Sequence, residues 1–155
     1  MPATLRIQFN VNQKRELDRT LAVHEAKMKD LRQPLNEVMD ALERYSDEVF
    51  DAEGGAQGLT PWAQLTEPYA SIKARFFPGK GILERTGKLR QSLAGNASGI
   101  RRVTNQKLTY GTSVSYAGYH QSGTGRMVKR PPLRLSMPMR NEIVEIIDKH
   151  LKVGE

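Results

Sequence analysis

The sequence predicts an α+β domain in which a small, mostly antiparallel sheet packs with two N-terminal helices and a C-terminal helix, joined by long functional loops. Three observations lead there. Apolar residues recur at helical spacing near both ends, at Leu35, Val38, Met39, Leu42, Tyr45 and Val49 and again at Ile143, Val144, Ile146, Ile147 and Leu151. In the middle, Leu108, Tyr110, Thr112, Val114 and Tyr116 fall on alternate positions, the period of a strand. Glycine and proline clusters interrupt both patterns.

The elements follow in order. Leu5, Ile7, Phe9 and Val11 alternate with Arg6, Gln8 and Asn10, which predicts a half-buried strand. Asn12 suits the N-cap of a first helix from Gln13 to Arg32, with Leu17, Leu21, Met28 and Leu31 on its apolar face. Pro34 suits the first turn of a second helix, unless the two form one long kinked helix. Gly54-Gly55, Gly58, Pro61, Pro68 and Pro78-Gly79 make residues 51–81 a long loop around Trp62. A short helix lies between Ile82 and Leu93, capped by Thr86, with Leu89 and Leu93 on its inner face. Short strands are expected at Ile100–Val103, Gln106–Tyr110 and Ser113–Tyr116, with a turn at Asn105 and a bulge or bend at Gly111. A Gly- and Arg-rich loop over 122–132 ends in Pro131-Pro132, and Pro138 starts the last helix. Both long loops are expected to be mobile in a free subunit and ordered by neighbours. The whole, residues 1–155, reads as one domain. A small sheet has open edges, and open edges invite another subunit.

Charge is segregated along the chain. Ser71 to Arg134 holds 13 Lys or Arg against one acid, Glu84, a balance of +12. Residues 1–70 hold 8 bases and 12 acids, a balance of −4. Such separation points to a polyanion, to complementary neighbours, or to a solvated basic face. There is no cysteine, so disulfides and thiolate metal sites are excluded. Apolar runs are too short for a membrane span, and the first residues lack a signal-peptide pattern, so no membrane partner is expected.

Candidate chemistry is sparse. His24, His120 and His150 stand at no metal-ligand spacing from one another. His24 and His150 read as ordinary helix residues. His120 lies between a strand and a Gly-rich loop, where a histidine can act as general acid or base. No carboxylate is in evidence to orient it, and bonding to backbone at a strand end is the preferred reading. Neither a nucleophile elbow nor a phosphate loop appears, and no cofactor is expected. Trp62, the single tryptophan, reads as a buried anchor for its loop, with an interface hot spot as the alternative. Arg126, Lys129, Arg130 and Arg134 suit phosphates or acidic neighbours, but without interleaved aromatics they give no sequence readout.

Four segments in this order resemble the phage virion morphogenesis or tail-completion family, the Mu gpG-like proteins. They are Trp62-Ala63-Gln64-Leu65-Thr66, then Ile82-Leu83 followed by Thr86-Gly87-Lys88-Leu89-Arg90-Gln91-Ser92, then Tyr116-Ala117-Gly118-Tyr119-His120-Gln121-Ser122-Gly123, and finally Arg130-Pro131-Pro132-Leu133. Ser122 replaces an aromatic of the family pattern, and Pro132 replaces a phenylalanine. The resemblance implies a structural protein, not an enzyme, of the virion neck or head-proximal tail end, assembled in the host cytoplasm. It implies a homo-oligomeric ring of six around the DNA channel, meeting the tail tube, terminator or head-completion proteins and touching packaged DNA non-specifically. The alternatives are a terminator capping the tail tube and a non-specific nucleic-acid-binding protein. Arg126, Lys129 and Arg130, with Trp62, Phe76 and Phe77, are the candidate contacts between subunits.

Overall fold

The computed structural model describes residues 11–95 and 99–152, with side chains from Arg15 onward. Among them are six α-helices and a two-stranded antiparallel sheet, an α+β arrangement. The order is α1 (Val11–Lys29), α2 (Arg32–Asp51), a 3-10 turn (Ala56–Gly58), α3 (Tyr69–Phe76), α4 (Lys88–Ala94), β1 (Gly99–Val103), β2 (Leu108–Thr112), α5 (Ala117–Ser122) and α6 (Met137–Lys152).

α2 is the axis of the core. Val38, Ala41, Leu42, Tyr45, Val49 and Phe50 recur three or four apart and are all buried. They meet α4, α6 and the sheet, whose buried contributions include Leu89, Leu93 and Met139. α2 ends in two left-handed residues, Glu53 (φ 45°) and Gly54 (φ 88°). Glu53 N donates to Phe50 O and Gly54 N to Val49 O (2.7 Å), which satisfies the last carbonyls. A Cβ on Gly54 would stand 2.6 Å from the Trp62 ring, so only glycine fits.

β1 and β2 pair with Arg101 opposite Tyr110 and Val103 opposite Leu108. Both side chains of the first pair turn to the C-terminus of α4. Tyr110 OH donates to Leu93 O (2.6 Å) and takes a hydrogen bond from Ser46 Oγ. The Arg101 guanidinium donates to Ser92 O (3.1 Å) and Leu93 O (2.9 Å) while pairing with Glu43. Carbonyls that a helix end leaves open thus receive strand donors.

The two N-terminal helices are separate, as expected: at the break the Asp30 carboxylate accepts Arg32 Nε (2.8 Å) and Arg32 N (3.1 Å), and these bonds, the guanidinium's first, hold its pKa down to about 2. Several other expectations are corrected. The expected strand from Leu5 lies outside the described residues except for Val11, which is helical, and Asn12 sits inside α1 instead of capping it. Residues 51–81 contain α3. The third strand does not form: Thr112 Oγ1 accepts Val114 N (3.1 Å), turning the chain out of the sheet so that Val114 enters the core. Gly111 pairs regularly with Ile100, without a bulge. α4 begins at Lys88, later than expected, behind Gly87 at φ 76°. α6 begins at Met137, where Ser136 Oγ accepts Met139 N (3.1 Å) as its cap.

These details rank three substitutions around α4. Leu89 is 1% exposed, so Leu89→Ala should cost about 2–5 kcal/mol. Gly87→Ala should cost about 1–2 kcal/mol through its left-handed backbone alone, since nothing but Gln91 approaches the new methyl. Thr86 Oγ1 reaches Lys88 N only at 3.4 Å, so Thr86→Ala should cost about 0.5 kcal/mol or less. Urea denaturation gives the order; Thr86→Ala costing more than Gly87→Ala would contradict this helix start.

Candidate functional site

Trp62 organises the region that carries the motif segments. Its ring packs edge-on against Phe50 at 5.3 Å between centroids, and its indole N–H donates to Pro131 O (2.9 Å). It is 3% exposed and anchors the loop within its own chain. Arg130 lies across the same loop, Nε donating to Ala63 O (2.6 Å) and Nη2 to Gln64 O (2.8 Å). Arg134 reaches Thr60 O (2.7 Å). Gln121 grips the far side of the segment, donating to Leu133 O (2.8 Å) and accepting Leu133 N (3.0 Å). The first, third and fourth motif segments are thus braces for one another.

The second segment is held by charge. Arg90 donates from Nε to Asp47 (2.7 Å), from Nη2 to Asp51 (2.7 Å) and from Nη1 to Glu84 (3.3 Å). This ties α4 to the acidic edge of α2. Ala117 is buried under α5, and Gly123 (φ 74°) ends that helix.

Beside this braced block lies an open groove of about 630 Å³. Leu65, Tyr69, Phe77, Leu83, Tyr116 and Met127 form its apolar walls. Lys73, Arg85 and Arg130 bring positive charge, and no acidic side chain lines it. Lys73 is buried with its ammonium on Gly81 O, and burial pushes its pKa down against the pull of Glu53 and Glu84. Every motif segment reaches the groove, through Leu65 and Thr66, Leu83 and Thr86, Tyr116 and His120, and Arg130.

His120 stands in α5, not at a strand end. Its ring meets Tyr116 edge-on at 6.0 Å, and its carbonyl accepts Arg130 N (2.9 Å). Its Nδ1 is buried without a hydrogen-bond partner among the described residues. Burial, and then the Arg130 charge, hold its pKa below the usual histidine range. Among the described residues no carboxylate lines the groove beside it. Among the described residues no three His, Asp or Glu gather as a metal site.

The candidate contact residues therefore divide. Trp62 is buried and bonded inside the subunit, and the Arg130 guanidinium is likewise taken up by Ala63 O and Gln64 O, with only part of the Arg130 side chain reaching the groove wall. Phe76 is 65% exposed, and Phe77 is half-buried with Arg85 over its ring at 5.0 Å. Arg126 and Lys129 are exposed and make no ion pair among the described residues. The sequence did not single out Tyr69, Lys73, Leu83 or Met127 as groove residues; their spacing carries no signal, because the groove joins four distant segments.

The four motif segments thus converge on one braced block beside an apolar, basic groove. The profile of the phage virion morphogenesis family matches residues 12–152, and the chain belongs to that family. It is 32% identical over 127 residues to the Mu-like prophage FluMu G protein 1 of Haemophilus influenzae, covering 81% of this chain and 83% of that protein. No solved structure matches significantly.

Two measurements probe the site. Arg90→Ala should lower stability by about 1–3 kcal/mol, less in high salt, and Arg90→Lys should recover little, because one ammonium cannot serve three carboxylates. Full recovery by lysine in denaturation experiments would show that charge alone matters. Because His120 is harder to protonate folded than unfolded, its contribution to stability is complete above the ordinary histidine range and is lost as pH falls through it. NMR titration, assigned with His120→Asn, should give a midpoint below that of a free histidine; a higher one would mean that the ring is solvated.

Proposed function

We propose that the protein completes the tail or joins it to the head as a ring of six subunits around the DNA channel, without enzymatic activity. Membership of the phage virion morphogenesis family gives a role in virion assembly. The observation that carries the finer reading is the division of the surface. Buried polar groups brace the fold, while Phe76, Tyr69, Arg126 and Lys129 stand exposed, Phe76 meeting only Arg75 over its ring, and Arg126 and Lys129 make no ion pair among the described residues. Exposed aromatics beside unpaired cations are what a subunit contact needs. The tail tube, a terminator or a head-completion protein is the proposed neighbour.

The same exposed cations support passing contact with DNA, which is non-specific because nothing near them reads bases. Arg130 is kept out of the charge-reversal test, since reversing it would break the clasp on Ala63 and Gln64.

The test is Arg126→Glu combined with Lys129→Glu, supplied to a phage that lacks the gene. The fold should persist, with an unchanged melting temperature, while the yield of infectious particles falls at least tenfold (about the effect of one strong contact). Tails of normal length without heads support completion or joining; tails of irregular length support a terminator. Normal yield from the double variant would remove the 122–129 loop from the contact.

A further inference from the structure

α1 is a long helix with little to hold it. None of residues 15–29 is buried. Leu17 (43% exposed), Leu21 (56%) and Met28 (57%) lie on one stripe at spacings of four and seven. The helix is tethered near its C-terminus, where Lys27 donates to Leu151 O (3.2 Å) and Met28 O accepts Gln106 Nε2 (3.3 Å). Helices in water rely on an apolar face packed against something, because a lone helix of this length is marginal. A stripe of large apolar residues left in solvent marks a surface for a partner.

The groove is the counterpart of the stripe. Its walls are apolar, its charge is positive, and no described residue of α1 lines it. α1 joins the body at the N-terminal end of α2, whereas the groove lies beyond the C-terminal end, where Glu53 takes Ile82 N (2.9 Å). The 20 residues of α2 separate these ends by about 30 Å at 1.5 Å per residue. Charge agrees with the match. Glu16 and Asp18 flank Leu17 without an ion pair among the described residues, and Arg85 in the groove wall and Arg126, next to the groove residue Met127, make none there either.

We propose that α1 is an arm that docks its Leu17, Leu21 and Met28 stripe into the groove of a second copy of this chain, head to tail. The proposal rests on the assembly reading above and names the contact within it. Stripe and groove lie on different surfaces of one subunit, so the contact is heterologous. Such a contact repeats from subunit to subunit and closes a ring when the rotation allows. The mode is helix in groove, with anchors one and several turns apart.

The chain has no cysteine, so Leu21→Cys and Tyr116→Cys can be introduced on a clean background. The double variant, concentrated and treated with a short bis-maleimide, should give a ladder beyond the dimer. A mixture of the two single variants should give one linked dimer. Leu17→Asp with Leu21→Asp, and separately Tyr69→Asp with Met127→Asp, should each weaken association about thirtyfold or more in sedimentation. Mixed together, these two should form a capped dimer, because each keeps one intact side. Association unchanged by the aspartates, no ladder, or links from Leu21→Cys alone would overturn the arm. If particles still incorporate the protein in that event, the assembly reading stands and only the contact is wrong.

Discussion

The fold depends on a clasp between two segments far apart in sequence. Between α2 and α4 the chain runs from residue 52 to residue 87 with only a short turn and α3 to satisfy its own backbone. Backbone groups in such a stretch must find partners elsewhere, since each one buried unpaired costs as much as a lost hydrogen bond. Trp62 fills the space beside Phe50, and the 130–134 segment supplies the partners. Neither side holds without the other. Arg130 has nothing to cap unless the Trp62 loop is folded, and the indole N–H has no acceptor unless Pro131 is in place. Gln121 and the His120 carbonyl then hold the 130–133 segment to α5. The groove is the outer surface of this clasp, so its shape is fixed by the interior.

Charge segregation has two separate meanings in this chain. Part of it is internal. The acids of α2 receive Arg90 from α4 and Arg101 from β1, so opposite signs in sequence become neighbours in the core's rim. Five of the 13 bases between Ser71 and Arg134 are bonded inside the subunit, namely Lys73, Arg90, Arg101, Arg130 and Arg134. Eight remain outward. A count of charges along the sequence therefore overstates the field available to DNA or to a neighbour, because it cannot separate the two groups.

What the sequence made legible was what repeats locally. The helical stripes of α2 and α6 and the alternation around Tyr110 were readable because each period reports one face of one element. Where a single side chain redirects the backbone, periodicity misleads. The Leu108 to Tyr116 alternation runs on past the strand, but the Thr112 hydroxyl turns the chain at Val114. α1 misled in the opposite way: its period was right, yet its apolar face meets solvent. The family motifs marked the site region, but not the roles. Trp62 is the buried anchor expected of it, but Arg130 looked like a contact and is a brace, since whether an arginine faces out or in depends on two carbonyls more than sixty residues away.

A subunit of an assembly has to meet two demands: to fold before it assembles, and to keep some surface unsatisfied afterwards. This chain separates them by location. The core around α2 is closed by α4, α6, the sheet and the clasp, and among the described residues the buried side-chain polar atoms left without a hydrogen-bond partner are His120 Nδ1 and His150 Nε2. The unsatisfied surfaces sit at the two ends of α2, an apolar helix at one and an apolar, positive groove at the other. A conduit for DNA adds a third demand, because every inward cation adds a phosphate contact and steepens salt-dependent retention. In the proposed ring, using five cations as internal braces and covering others with a neighbour's acids would reduce that grip without removing the positive charge near the axis. Within the proposed ring, then, the arm would do more than hold subunits together. It would also set how much of the remaining charge faces the DNA.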